Sequence, residues 1–238
     1  MTRLFALFQL GLALVLGAFP APSHAAATAE GDARRTILFF GDSLTAGYGL
    51  ENHLVDAFPG VLQAKIDREG LAYRVVNAGL SGDTTAGGLR RIDWVLRQPV
   101  DIFILELGGN DGLRGLPLAT AHANLEAIME RVRARNPQVR IVLAGMQLPT
   151  SMGPYAEAFA RLFPDLAAAA GVELIPFLLE GVGGVPELNL PDGIHPTVEG
   201  HRRIAEVVWP HLRPLLVART ADASPQLHPG TGNASVGR

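Results

Sequence analysis

Five short runs of apolar, strand-forming residues recur along the chain, each followed by a stretch with helical spacing, and this alternation restricts the fold more than any other feature. The runs cover residues 36–40, 73–77, 101–107, 140–144 and 173–177. The helical stretches lie at about 58–69, 86–97, 119–135, 155–170 and 198–216. A continuous apolar run, as in Thr36-Ile37-Leu38-Phe39-Phe40, marks a strand buried on both faces of a parallel sheet. Parallel strands need crossover connections, and right-handed helical crossovers cover both faces. The expectation is one α/β domain over residues 36–216, a three-layer α/β/α sandwich with a five-stranded parallel sheet. In open sheets of this kind ligands bind beyond the carboxyl ends of the strands, so chemistry is sought in the loops there.

Composition narrows the function classes. With 48% hydrophobic and 18% charged residues over 238 positions, the chain has the make-up of a packed globular protein. A formal net charge of -3 supplies no basic field for phosphate backbones, so nucleic acid is not an expected partner. The absence of cysteine removes disulfides, thiolate zinc sites, a thiol nucleophile and a lipidated cysteine. A nucleophile here is therefore an oxygen or a nitrogen. Residues 1–25 carry Arg3, an apolar run from Leu4 to Phe19 and the small-x-small tripeptide Ser23-His24-Ala25, the three parts of a secretory signal peptide. That run is shorter than the roughly 20 residues that span a bilayer, so export to the periplasm or medium is expected rather than stable membrane insertion. Residues 218–238 are rich in Ser, Pro, Gly and Asn and read as a flexible tail.

The loops leaving the strands gather the polar residues. The first supplies Gly41-Asp42-Ser43-Leu44-Thr45-Ala46-Gly47, and the second supplies Asn77-Ala78-Gly79-Leu80-Ser81-Gly82-Asp83-Thr84. The third supplies Gly108-Gly109-Asn110-Asp111-Gly112, and the loop before the last helix supplies Asp192-Gly193-Ile194-His195-Pro196. Taken singly, each has an ordinary explanation. Asp and Ser cap helices, glycines accept positive φ in turns, and a histidine beside a carboxylate is common on surfaces. Taken together, a hydroxyl, an amide, an acid and an imidazole converge on one sheet edge, which are the parts that ester cleavage needs. The Asp-x-x-His spacing lets one loop deliver Asp192 to one imidazole nitrogen while the other faces Ser43. Pro196 stiffens that loop.

The blocks GDSLTAGYGL, NAGLSGDTT, LGGNDGLRG and DGIHP, in this order, resemble those of the SGNH (GDSL-type) hydrolases. Within them the likeness is to the bacterial periplasmic branch of acyl thioesterases, lysophospholipases and arylesterases, and it spans residues 37–216. The resemblance implies a flavodoxin-like sheet with Ser43 as nucleophile, His195 as base and Asp192 as its orienter. It also implies an oxyanion hole formed by the Ser43 N–H, Gly82 and Asn110, with Gly82 chosen over Gly79. Where many arylesterase-like members carry Pro-Pro-Asn-Tyr-Gly after the fourth strand, this chain has Met146-Gln147-Leu148-Pro149-Thr150-Ser151-Met152-Gly153-Pro154. That loop borders the acyl pocket in the family, so Leu148 and Met152 are the candidate substrate-binding residues.

The expected activity is hydrolysis of carboxylic esters or thioesters, with a small-molecule substrate, no metal or organic cofactor, and a monomer as the default state. A glycan O-acetyl esterase or acyltransferase is the nearest alternative, because the same site can pass an acyl group to or from a sugar hydroxyl. A non-catalytic exported binding module is the alternative from another class, since a fold alone fixes no function. The first loop lacks Gly-x-Gly-x-x-Gly, against dinucleotide binding, and Ser43 is not in Gly-x-Ser-x-Gly, against an α/β-hydrolase.

Overall fold

The computed structural model describes residues 34–216, so the expected signal peptide (1–25) and the tail (218–238) lie outside the described residues. Strands β1 (Arg35–Gly41), β2 (Tyr73–Asn77), β3 (Ile102–Glu106), β4 (Arg140–Ala144) and β5 (Glu173–Ile175) form one parallel sheet in the order β2-β1-β3-β4-β5. The helices are α1 (Ser43–Ala46), α2 (His53–Asp56), α3 (Phe58–Arg68), α4 (Thr85–Val95), α5 (Gly109–Leu113), α6 (Leu118–Arg135), α7 (Pro154–Ala170) and α8 (Val198–Leu212).

The chain steps from β1 outward to β2, then returns past β1 to β3 and continues to β4 and β5. With right-handed crossovers, that reversal sends the connecting helices to opposite faces of the sheet. In agreement, α3 packs against α8, while α4 packs against α6 and α6 against α7. The result is the expected three-layer sandwich. Strands β1 and β3 lie between the layers, and Ile37, Leu38, Phe39, Phe40 and the run Ile102 to Leu105 are buried. Strand β2, at an edge, is only half-buried beyond Tyr73. The reversal between β1 and β3 also opens a crevice beyond their carboxyl ends, because the loops that leave them diverge to opposite faces.

The expected strands and long helices are found with small shifts at their ends. Asp101 lies just before β3, where its carboxylate accepts the Thr36 N–H at 2.8 Å. Strand β5 stops at Ile175 because Pro176 follows and has no N–H for the ladder. Helix α8 ends at Leu212, and a 3₁₀ turn over Arg213–Leu215 completes the last helical stretch. Helices α1, α2 and α5 were not legible, since four or five residues are too few to display a period.

Candidate active site

Strand β1 ends at Gly41, where a Cβ would stand 2.1 Å from Thr45 Oγ1 and 2.3 Å from Glu106 Oε2, so only glycine permits the chain to turn. Asp42 then caps α1 by accepting the Leu44 N–H at 3.0 Å, which makes Ser43 the first residue of the helix. Beneath this turn lies Glu106, wholly buried at the end of β3. Its Oε2 accepts the Asp42 N–H at 3.1 Å and the Thr45 hydroxyl at 2.7 Å, gripping the chain on both sides of Ser43. Burial, and then the neighbouring charge of Asp42, push the Glu106 carboxyl well above the usual range. Burial also raises Asp42 to about 6, against the pull of hydrogen bonds from Leu44 and Asn110.

The second loop is laced to the first. Asn77 donates to the Thr45 carbonyl at 2.7 Å and accepts the Gly79 N–H at 2.9 Å. Gly79 lies so close to α1 that a Cβ would meet the Ala46 nitrogen at 2.2 Å. Gly82, with φ of 78°, sits at the exposed end of this loop, and no partner for its N–H is found among the described residues. The Gly79 N–H is thus occupied, whereas that of Gly82 is open among the described residues.

The third loop turns through Gly108, at φ 115°, into α5. Asn110, in its first turn, donates from Nδ2 to Asp42 Oδ2 at 3.0 Å. Asp111 is buried and accepts the N–H and the hydroxyl of Thr85 at 2.8 and 2.6 Å, which ties α5 to the start of α4.

The last loop is closed on itself. Leu190 N–H donates to the His195 carbonyl at 2.7 Å, Thr197 N–H to Leu188 at 2.9 Å, and Asn189 pairs with Pro196 in an isolated antiparallel bridge. Within it, Asp192 Oδ1 accepts the N–H groups of Ile194 and His195 at 2.9 and 3.0 Å. Asp192 Oδ2 lies 2.7 Å from His195 Nδ1, and His195 Nε2 lies 3.0 Å from Ser43 Oγ. Hydrogen bonds from the His195 backbone, the His195 ring and the Ile194 backbone hold the Asp192 carboxyl down to about 2. Asp192 is thus ionised and can only accept, so the ring proton sits on Nδ1 and Nε2 is left to accept from the Ser43 hydroxyl. Tyr48 packs against the imidazole with ring centroids 4.4 Å apart.

Ser43, Asn110 and His195 all line one cavity of about 450 Å³, and Asp192 stands behind His195. The walls are mainly apolar, supplied by Leu113, Met146, Leu148, Phe177, Leu179 and Ile194. Of the two expected substrate-binding residues, Leu148 lines the cavity. Met152 does not, because it lies in the 3₁₀ turn Thr150–Met152. Gly82 is outside the lining and reaches Asn110 through Arg114, whose guanidinium donates to the Gly82 carbonyl at 3.1 Å. Phe177 and Leu179 were missed in sequence, although the end of the fifth run falls on the same sheet edge. Glu106 gave no sign at all, being a charged residue inside an apolar strand.

A family model described as the GDSL-like Lipase/Acylhydrolase family matches residues 39–203. Esterase TesA of Pseudomonas aeruginosa is 44% identical over 186 residues, covering 77% of this chain and 90% of that protein. Thioesterase 1/protease 1/lysophospholipase L1 of Escherichia coli K12 is 38% identical over 183 residues, covering 76% of this chain and 85% of that protein. Among solved structures, a crystal structure of TesA superposes with a TM-score of 0.73 at 44% identity, covering 76% of this chain and 100% of its own. The match takes in all four of the loops just described and reaches past His195, and on these grounds the chain belongs to the GDSL-like lipase/acylhydrolase family.

Proposed function

We propose that the chain is a serine hydrolase that cleaves carboxylic esters or thioesters through an acyl-enzyme on Ser43, with His195 as base and Asp192 as its orienter. One observation carries this above all: the unbroken line from Asp192 through His195 to Ser43, at 2.7 and 3.0 Å, opens onto an apolar cavity. Nε2 accepts the hydroxyl proton as Oγ attacks the substrate carbonyl, and the resulting imidazolium is stabilised by the ionised Asp192. The negative charge that develops on the carbonyl oxygen is met by the Ser43 N–H, the Gly82 N–H and the second hydrogen of Asn110 Nδ2. His195 returns its proton to the leaving alcohol or thiol, and water then repeats the sequence to release the acid.

The cavity walls favour an acyl chain over a sugar. Leu113, Met146, Leu148, Phe177 and Leu179 offer dispersion contacts, and apolar side chains outnumber the polar ones in the lining, such as Gln147, which weighs against the glycan esterase alternative. Esterase, thioesterase and lysophospholipase, the activities named for the relatives, all suit a pocket of this kind. We place the enzyme in the periplasm or medium on the pattern of residues 1–25, and no helix among the described residues is long and apolar enough to cross a membrane. A fluorophosphonate labels Ser43 in the native chain and nothing in Ser43→Ala, and a series of p-nitrophenyl esters shows kcat/KM rising with acyl length until the cavity is filled. Undiminished esterase activity in Ser43→Ala would end this assignment.

A further inference from the structure

An oxyanion hole built on an asparagine side chain has an orientation problem. If the Asn110 amide rotated by half a turn, Oδ1 would take the place of Nδ2 and a lone pair would face the developing anion. Two neighbours oppose that rotation. On one side Asp42 Oδ2 takes a hydrogen from Nδ2 at 3.0 Å. On the other, Arg114 Nη2 donates to Asn110 Oδ1 at 3.4 Å. A guanidinium has no lone pair to offer, so the group facing it has to be the oxygen. The flipped amide would set its NH₂ against a cation and lose both contacts.

The same Nη2 donates to the Gly82 carbonyl at 3.1 Å. Gly82 holds a φ of 78°, a region that glycine enters and leaves freely, so its peptide plane needs an external anchor. Arg114 is four residues beyond Asn110, so the turn of α5 and its cap returns the guanidinium over the amide while it reaches across to the loop after β2. The buried Asp111–Thr85 contacts join the same two segments but touch neither donor.

We propose that Arg114 is a positioning residue of the oxyanion hole, holding the Asn110 amide and the Gly82 peptide in donor orientation. Its charge, hydrogen-bonded to the amide oxygen, also polarises the Nδ2 hydrogens and makes them stronger donors. Resting as it does on Gly82 and Asn110 being the donors, this role has a signature distinct from binding. Arg114 is exposed, so Arg114→Met leaves the fold intact.

The test compares wild type, Arg114→Met, Asn110→Ala and the double variant, with a neutral p-nitrophenyl ester and with an anionic lysophospholipid. Arg114→Met is expected to lower kcat about tenfold for both substrates with KM changed less than about twofold, the mark of a contact used only at the transition state. Asn110→Ala is expected to lower kcat by about 10² to 10³. On that background the further loss from Arg114→Met shrinks to about threefold, the part carried through Gly82. An undiminished tenfold loss on the Asn110→Ala background would overturn the inference, as would a wild-type kcat in Arg114→Met. A loss confined to KM for the anionic substrate would assign Arg114 to headgroup recognition instead. A wild-type kcat in Asn110→Ala would remove the oxyanion role of Asn110 itself, and this inference with it.

Discussion

His201 supplies a prediction in which burial is the largest cause of the effect. It lies in α8, wholly buried against Phe58, with Nδ1 accepting the Phe58 N–H at 3.2 Å and Nε2 without a hydrogen-bond partner among the described residues. Burial, aided by the charge of His195, lowers its pKa from 6.5 to about 4. Above pH 6.5 the ring is neutral in both folded and unfolded chains and contributes nothing to the pH dependence. As the pH falls below that value the unfolded chain takes up a proton that the folded chain refuses, so stability is lost on the way down to about 4. The complete loss is about 3 kcal/mol, of which about 2.5 kcal/mol is reached by about pH 4.5. That is a large share of the roughly 5–15 kcal/mol that holds a domain together.

Asp42 works in the opposite sense. Raised to about 6, it keeps a proton that the unfolded carboxyl releases, so it favours the fold as the pH falls and masks the histidine in the wild type. The comparison is therefore with His201→Asn, whose amide oxygen replaces Nδ1 as acceptor for Phe58 and which does not titrate. The lost ring volume lowers stability by an amount independent of pH. Urea unfolding of both proteins at about pH 7.5 and about pH 4.5 should show the gap between them closing by about 2.5 kcal/mol toward acid. A gap that stays constant to within about 0.5 kcal/mol would refute the reasoning.

Asp192, held down to about 2, stays ionised well into the acid range, so the acceptor for the imidazole Nδ1 proton persists there. Gly79→Ala and Gly82→Ala are expected to differ sharply although both lie in one loop. The first drives a methyl into the Ala46 backbone, which cannot give way as a side chain would, and lowers stability by about 3 kcal/mol or more together with activity. The second meets nothing nearer than Arg114 at 3.8 Å and bears only the left-handed backbone strain of about 1–2 kcal/mol, which thermal unfolding will separate.

The layout of the domain was legible because strands buried on both faces have no reason to alternate, and their continuous runs stand out against the helical stretches between them. The candidate triad was legible for a different reason. The edge rule for parallel sheets limits the search to a few loops, and only one held an acid and an imidazole three residues apart. What escaped depends on long-range packing. Glu106 in a strand looks like an edge or surface residue until Thr45 and the Asp42 backbone are seen to close over it. Met152 and Leu148 are four residues apart and equally apolar, and only the 3₁₀ turn decides which reaches the cavity. Arg114 resembled any exposed arginine, since its partners come from a loop some 30 positions earlier as well as from its own helix.

The hydroxyl and the imidazole that meet at 3.0 Å are 152 positions apart, and the imidazole arrives on the loop ahead of α8, the last α-helix among the described residues. On the proposed mechanism, a chain emerging from the ribosome therefore carries the attacking hydroxyl long before it carries the imidazole that activates it. Such a chain stays catalytically silent until nearly all of the domain has been delivered and α8 has docked on α3. Turnover in this enzyme is in that sense a certificate of completed assembly, and truncations that spare every residue up to position 190 should still read as dead.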